Sequence, residues 1–255
     1  MLFAIDMGNS NIVLGCWEED KLLFEERLST DVSKTDLEYA ILFKYMFELH
    51  QINVKEITGS IISSVVPQLT EVIKNAVYKI AGIEAMIVGP GLKTGLHIII
   101  DNPAQLGSDL VVDAVAGLKE YAPPLAIIDM GTATTISVIN EAGKYIGGTI
   151  MPGLKTSLDS LVSKTSQLQR ISLVAPPKVV GRNTIDCMRS GMIYGYAACI
   201  DGLLDRIEEE LGQKVTAIAT GGLADKILPY CKRKIILDQA LLLKGLKEIY
   251  LKNIE

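Results

Sequence analysis

The sequence predicts an α/β fold made of two similar halves, each a mixed β-sheet flanked by helices. Three observations carry that expectation. Residues 2–21 and 125–144 align without a gap, sharing Ile-Asp-Met-Gly and a later Glu and Lys. In each copy an apolar run ends in an acid, and a Gly-containing polar turn leads to a second, β-branched run. A Glu-containing turn then precedes a third strand, the pattern of a hairpin meander. Between and after the copies, strand-like and helix-like segments alternate, as helices flanking mixed sheets require.

The elements follow in order. After the first meander, residues 33–51 carry Leu37, Ala40, Ile41, Phe43, Met46 and Phe47 at helical spacing, with Ser33 and Asp36 as an expected capping pair. Residues 58–65 read as a buried strand, 68–81 as a helix and 85–88 as a further strand, before Gly89-Pro90-Gly91 breaks the chain. A helix is expected over 106–120, with Asp109 in its first turn. Pro123-Pro124 then interrupts the chain and sets the expected boundary between an N-terminal domain, 1–121, and a C-terminal domain, 122–255. The second meander leads to a helix over 154–163 and a weakly patterned stretch ending at Pro176-Pro177. A long helix over 184–211, a strand over 215–219 running into Thr220-Gly221-Gly222, and a last helix over 239–253 complete the chain.

Composition narrows the function classes. The chain has 255 residues, 49% of them hydrophobic and 22% charged, enough apolar material for a sizeable core. Its net charge of −5 offers no electrostatic footprint for nucleic acid, and Lys232-Arg233-Lys234 reads as a solvated turn. Cys16, Cys187, Cys199 and Cys231 are scattered, without the spacing of a zinc site or a disulfide framework, which points to reduced thiols. The segment Met1-Leu2-Phe3-Ala4-Ile5-Asp6 reads as neither signal peptide nor anchor, and no apolar run approaches the ~20 residues of a membrane span. A cytoplasmic protein without membrane or nucleic-acid partners is expected.

The chemistry concentrates at the two Asp-Gly hairpins. Backbone N–H groups freed by a Gly-containing turn form an anion-binding concavity. Asn9, Ser10 and Asn11 in one copy, and Thr132, Thr134 and Thr135 in the other, add side-chain donors. Asp6 and Asp129, at the preceding strand ends, suit a hydrated Mg2+, which takes one or two carboxylates plus phosphate oxygens. One such hairpin alone is most simply an Asp capping its own turn; two at one offset point to a phosphate clamp. Other nucleotide signatures are missing: Gly89–Gly95 (GPGLKTG) has its Lys before the final Gly, so it is no P-loop, and no GxGxxG follows a strand. Gly147-Gly148-Thr149-Ile150-Met151-Pro152-Gly153 ends the second meander and suits close approach of backbone to ligand. Ala219-Thr220-Gly221-Gly222 offers bare backbone against which an adenine can lie.

These residues carry a resemblance. The Asp6-Met7-Gly8-Asn9-Ser10-Asn11 and Asp129-Met130-Gly131-Thr132-Ala133-Thr134-Thr135 hairpins resemble the two phosphate motifs of the actin, Hsp70 and sugar-kinase superfamily. Gly89-Pro90-Gly91-Leu92-Lys93-Thr94-Gly95-Leu96, Asp101-Asn102-Pro103 with Gly107-Ser108-Asp109, Gly147-Gly148 with Pro152-Gly153, and Asn183-Thr184 with Ser190-Gly191 are similar to segments of type III pantothenate kinases. With Ala219-Thr220-Gly221-Gly222 they run in the family order from residue 1 to about 250.

The resemblance implies two tandem ribonuclease H-like (actin-like ATPase) domains and ATP-dependent phosphorylation of the terminal hydroxyl of pantothenate, opening the route to coenzyme A. It also implies Mg2+, a monovalent cation (K+ or NH4+) and a homodimer. On this pattern Asp109 is the general base, which agrees with the need of a primary alcohol for a carboxylate to take its proton. Asp6, Gly8, Asn9, Ser10, Asn11, Gly131, Thr132, Thr134, Gly221 and Gly222 bind nucleotide; Asp6 and Asp129 associate with metal; Gly107, Ser108 and Thr184 contact pantothenate.

Two positions depart from the family pattern. The residue after Asp109 is Leu110 where an Arg is usual, and Ile100 stands where a Tyr commonly precedes the acid-Asn-Pro segment. An Arg there would pair with the pantothenate carboxylate, and Leu cannot replace a charge-assisted hydrogen bond. Lys155, Arg170 and Arg182 are the expected substitutes. The departures leave two alternatives beside the pantothenate kinase: a nucleotide-binding regulatory paralogue without activity, or a kinase of another small alcohol.

Overall fold

The first apolar run is strand β1 (Leu2–Met7), and its alternating side chains fill two cores at once. In this computed structural model, which describes residues 1–254, Phe3, Ile5 and Met7 face one side of the sheet and Leu2 and Ala4 the other. Burial on both sides explains why β1 reads as a continuous hydrophobic run rather than an alternation. β1 pairs antiparallel with β2 (Asn11–Glu18), which pairs with β3 (Lys21–Ser29). Parallel strands β4 (Gly59–Ser64) and β5 (Met86–Ile87) extend the sheet on the other edge, in the order β3-β2-β1-β4-β5.

Helices α1 (Asp36–Leu49) and α2 (Pro67–Ala81) cover the Phe3 side through Phe43, Phe47, Leu69 and Ile73. The Leu2 side is covered by Val112 and Val115 of α3 (Ser108–Glu120) and by Leu243, Leu246 and Ile249 of α7 (Leu241–Ile254). The cap of α1 is Thr35, not Ser33: Thr35 accepts from Glu38 N–H while the Glu38 carboxylate accepts from Thr35 N–H, a complete capping box. Ser33 instead donates to Asp31 in the preceding turn. α2 starts one residue before its expected position because Pro67 occupies the first helical turn, where no N–H is needed.

The second meander repeats the first. β7 (Leu125–Met130), β8 (Ala133–Ile139) and β9 (Lys144–Pro152) form an antiparallel run, joined by parallel β10 (Thr216–Thr220) and β11 (Ile236–Leu237). The order β9-β8-β7-β10-β11 matches the first sheet strand for strand, and β6 (His97–Ile98) adds an edge beside β9. The core of this unit forms between Ala126, Ile128 and Met130 and the long helix α5 (Thr184–Leu211), with α4 (Leu154–Ser163) and short α6 (Ala224–Ile227). β6, α6 and β11 span too few residues to leave a periodic signal and were not expected from the sequence.

The gapless alignment of the two meanders does not survive in the strand pairing. Met7 pairs with Ile12 across a four-residue turn, Gly8–Asn11, whereas Met130 pairs with Thr134 across a three-residue turn, Gly131–Ala133. The offset is therefore 123 residues before the turn, Leu2 to Leu125, and 122 after it. The register irregularities agree with the second figure: one falls between Cys16 and Trp17, the other between Val138 and Ile139.

The chain divides into two compact units, the first comprising Met1–Leu96, Asn102–Ala116 and the segment from Ala240 on, the second His97–Asp101 and Gly117–Gln239. Division at 121/122 assigned the last helix to the second half; α7 packs in the first unit, against β1, β2 and β4. Among the described residues no helix is long and apolar enough to cross a membrane.

Candidate active site

In the first unit, Asp6 lies near the carboxyl end of β1, buried, on the same strand face as Leu2 and Ala4 and thus on the side that α3 and α7 cover. Its neighbour in register on parallel β4 is Ser63. The hairpin tip that follows is held from behind. Gly8 N–H donates to the Asn11 carbonyl at 3.0 Å, Thr30 Oγ1 donates to the Gly8 carbonyl at 2.6 Å, and Thr30 N–H donates to the Ser10 carbonyl at 3.1 Å. With the backbone carbonyls engaged this way, the side chains of Asn9, Ser10 and Asn11 stand exposed.

Asp109 sits in the first turn of α3, half-buried. Burial pushes its carboxyl above the ordinary carboxylate range, while the N–H groups of Leu110 and of Asp109 itself pull in the opposite direction. The Leu110 N–H donates to Asp109 Oδ1 at 2.9 Å, so position 110 contributes its backbone rather than its side chain. A Cβ on Gly107 would stand 2.4 Å from Asp109 Oδ1, so any larger residue there would displace the Asp109 carboxylate from this position. Gly107 and Ser108 thus adjoin Asp109. Ser108 Oγ is already engaged, at 3.0 Å from Ser63 Oγ, 3.2 Å from Ser64 N and 3.1 Å from the Ser64 carbonyl.

In the second unit, Asp129 near the end of β7 has Thr220 of β10 as its register partner on one side and Thr135 of β8 on the other. Gly221 follows with φ of +91°, and a Cβ there would stand 2.5 Å from Asp129 Oδ1 and 2.6 Å from Met130 N. Only glycine permits both that backbone conformation and that approach. The fold therefore brings the Thr220-Gly221-Gly222 motif against the acid of the second hairpin. Thr132 sits at the hairpin tip, its carbonyl accepting from Gly153 N–H at 2.9 Å and Thr156 Oγ1 at 2.7 Å. Thr134 is buried and its hydroxyl lies 3.1 Å from that of Tyr196 on α5, which also donates to the Pro152 carbonyl. Thr184 opens α5, exposed, behind the Asn183 cap that accepts from Asp186 N–H at 2.9 Å.

Thr30, Ser63, Ser64, Thr156 and Tyr196 support the motif residues but are absent from the sequence-based site. Ser63-Ser64 left a legible signal, two adjacent hydroxyls at the end of a buried strand; Tyr196 lies mid-helix and left none. Of the cations expected to replace the missing Arg, Arg170 is committed to Asp159 at 2.8 Å, while Lys155 and Arg182 are exposed.

The donor set fits a nucleotide-borne Mg2+. Among the described residues no group of three or more His, Cys, Asp or Glu side chains is arranged to cage a metal. A single carboxylate beside a hairpin, as Asp6 is in the first unit and Asp129 in the second, is what an ion that keeps its waters and phosphate ligands takes.

A family model described as type III pantothenate kinase matches residues 2–206. The type III pantothenate kinase of Citrifermentans bemidjiense is 44% identical over 253 residues, 99% of this chain and 100% of the relative. That of Geotalea daltonii is 44% identical over 255 residues, 100% of both. Among solved structures, the activator of 2-hydroxyisocaproyl-CoA dehydratase from Clostridium difficile has a TM-score of 0.56 at 8% identity, covering 99% of this chain and 94% of that one. Component A of (R)-2-hydroxyglutaryl-CoA dehydratase from Acidaminococcus fermentans gives 0.56 at 14% identity, covering 99% and 98%. At such identities the likeness shows the fold alone, that of the two-domain actin-like ATPases and sugar kinases.

Proposed function

The chain belongs to the type III pantothenate kinase family, and from that premise we propose how its own residues serve the reaction. It is a transferase that phosphorylates pantothenate with ATP, the first step of coenzyme A biosynthesis. We assign the general base to Asp109. The supporting observation is its placement: half-buried in the first turn of α3, with an elevated proton affinity, on the helix that covers the Asp6 face of the sheet. A carboxylate above its usual pKa accepts a proton from an alcohol more readily, and such a base contributes about 10²–10⁴-fold.

Gly8, Asn9, Ser10 and Asn11 in the first hairpin, and Gly131, Thr132 and Thr134 in the second, are assigned to phosphate. Backbone N–H groups and exposed side chains supply the donors, and the Thr30, Gly153 and Thr156 contacts hold the turns in shape. Gly221 and Gly222 are assigned to the nucleoside; Gly222 is exposed and Gly221 half-buried beside Asp129. Asp6 and Asp129 would hold Mg2+, which when bound neutralises phosphate charge. A monovalent cation, K+ or NH4+, is assigned on the family pattern, and turnover in Na+ alone against K+ tests it. Gly107 and Thr184 are assigned to pantothenate.

We assign a homodimer and a cytoplasmic location. Exposed Val174, Val179, Val180 and Ile185 lie along or beside a segment tied to α5 by Ser190 and Tyr194, an apolar surface a second copy would cover. Reduced thiols agree with the location, since the four cysteines are free. Sedimentation at one-copy mass would remove the dimer, and recovery outside the soluble cell fraction would remove the location.

Asp109→Asn tests the base. Pantothenate-dependent ADP release is expected to fall by about 100-fold or more while ATP binding persists. Undiminished turnover would take Asp109 out of that role.

A further inference from the structure

The polar end of β4 is the part of the first unit that the family reaction has not absorbed. Ser63 is fully buried, yet its hydroxyl is spent on neither its own strand nor a turn: it pairs with Ser108 Oγ at 3.0 Å. Ser108 Oγ also accepts from Ser64 N–H at 3.2 Å and donates to the Ser64 carbonyl at 3.1 Å. A serine hydroxyl has one donor and two acceptor positions, and these three contacts fill all of them. No capacity is left for a substrate group. The strand end is itself anchored, because Ser64 Oγ pairs with Thr70 Oγ1 at 2.9 Å and accepts from Val66 N–H at 3.1 Å. On one side of this cluster lies Asp6, the register partner of Ser63; on the other lies Asp109, the residue after Ser108.

We propose that Ser63 and Ser108 are positioning residues that lock the first turn of α3 to the end of β4, and so fix the Asp109 carboxylate relative to the Asp6 strand. This rests on Asp109 being the base. The second unit shows why the serines read as a device. At the corresponding strand end, Asp129 has Thr220 as register partner, where Asp6 has Ser63, but the next position is Gly221 in place of Ser64, so that copy keeps one of the two hydroxyl side chains and lacks the other. The same place in the repeat is opened in one unit and tied to a helix in the other. Ser108 on this account acts through Asp109 and does not touch pantothenate.

The effect belongs in kcat. A base displaced by about 1 Å costs up to ~10²-fold in rate without weakening substrate binding. Ser63→Ala and Ser108→Ala are each expected to lower kcat about tenfold, leaving KM for ATP and pantothenate within about twofold. The acid limb of the kcat–pH profile is expected to move to lower pH, because a loosened first turn admits water to Asp109. Ser108→Thr keeps the hydroxyl and is expected to recover most of the rate. The Ser63→Ala/Ser108→Ala double variant is expected to be no worse than Ser108→Ala, since the Ser63 Oγ–Ser108 Oγ contact is already lost in the single variant. Melting curves and ATP binding confirm that each variant is folded; should Ser63→Ala fail to fold, the Ser108 pair still decides the matter.

A raised pantothenate KM with intact kcat in Ser108→Ala would make Ser108 a substrate contact and overturn the proposal. So would wild-type kinetics in all the serine variants. Full activity in Asp109→Asn would take down the base and the positioning pair together. An inactive Asp109→Asn beside unchanged serine variants would remove the positioning pair alone.

Discussion

Asp109 combines two opposed influences in one carboxylate. Burial raises its pKa, and the N–H groups of Leu110 and of its own residue lower it again, leaving a net upward shift. A carboxyl whose folded pKa exceeds its unfolded value stabilises the protein below the unfolded pKa and gives up that stability as pH rises through the folded one. Ionising Asp109 in the folded protein is therefore a cost to stability. Asp109→Asn retains an oxygen for the Leu110 N–H and sheds the charge. Its Tm at pH 7 is expected to equal or exceed that of the parent, with the gap shrinking in acid; a lower Tm at pH 7 would contradict the burial argument. The place of Asp109 in the first turn of a helix was legible from local pattern, while its role as base was implied only by the family resemblance. The partners that hold it were not legible, because nothing in the order of residues says that the end of β4 meets the start of α3.

At the scale of elements, the meanders were legible and their turns were not. The shared Ile-Asp-Met-Gly fixes both first strands, but one residue of difference in turn length is invisible until the pairing of Ile12 and Thr134 is seen. α5 was legible over its full length, Thr184–Leu211, because Asn183 caps one end and Gly212, with φ of +66°, ends the other. Its C-terminal part carries a buried charge that sequence spacing conceals. Burial acts to raise the pKa of Glu208, but hydrogen bonds from Arg233, Lys214 (2.6 Å) and the Val215 N–H outweigh it and hold the carboxyl down at about 2. Arg233 also reaches Asp205, and its own N–H donates to Asp201 at 3.1 Å. The triplet Lys232-Arg233-Lys234, expected as a solvated turn, is thus a staple on α5 in its middle residue. A depressed carboxylate contributes stability above its ordinary pKa of 4.5 and loses it as pH falls towards about 2. Arg233→Met is expected to cost about 2–3 kcal/mol at pH 7, because Lys214 still partly neutralises Glu208. Its deficit relative to the parent should narrow between pH 4.5 and 2. A deficit independent of pH in that window would assign the loss to packing instead.

At the scale of the molecule, two compact units share one strand order, and each ends its first strand in an acid followed by a glycine-containing turn. That duplication was legible because it is written in local pattern. The allocation of α7 to the first unit was not, since a terminal helix carries the same amphipathic signal whichever sheet it covers. Leu110 and Ile100 bear on the molecule as a whole, for they withdraw polar groups from the expected pantothenate pocket while the hairpins stay intact. Leu110 still donates its N–H to Asp109 Oδ1, so the departure leaves that backbone contact in place. The most direct measurement is proton-coupled phosphorus NMR of the products formed from ATP and pantothenate. Transfer to the terminal hydroxyl predicts a new phosphomonoester resonance, split into a triplet by the two protons of the adjoining methylene. Hydrolysis of ATP to inorganic phosphate with no ester resonance, or an ester split into a doublet by a single proton, would contradict the account.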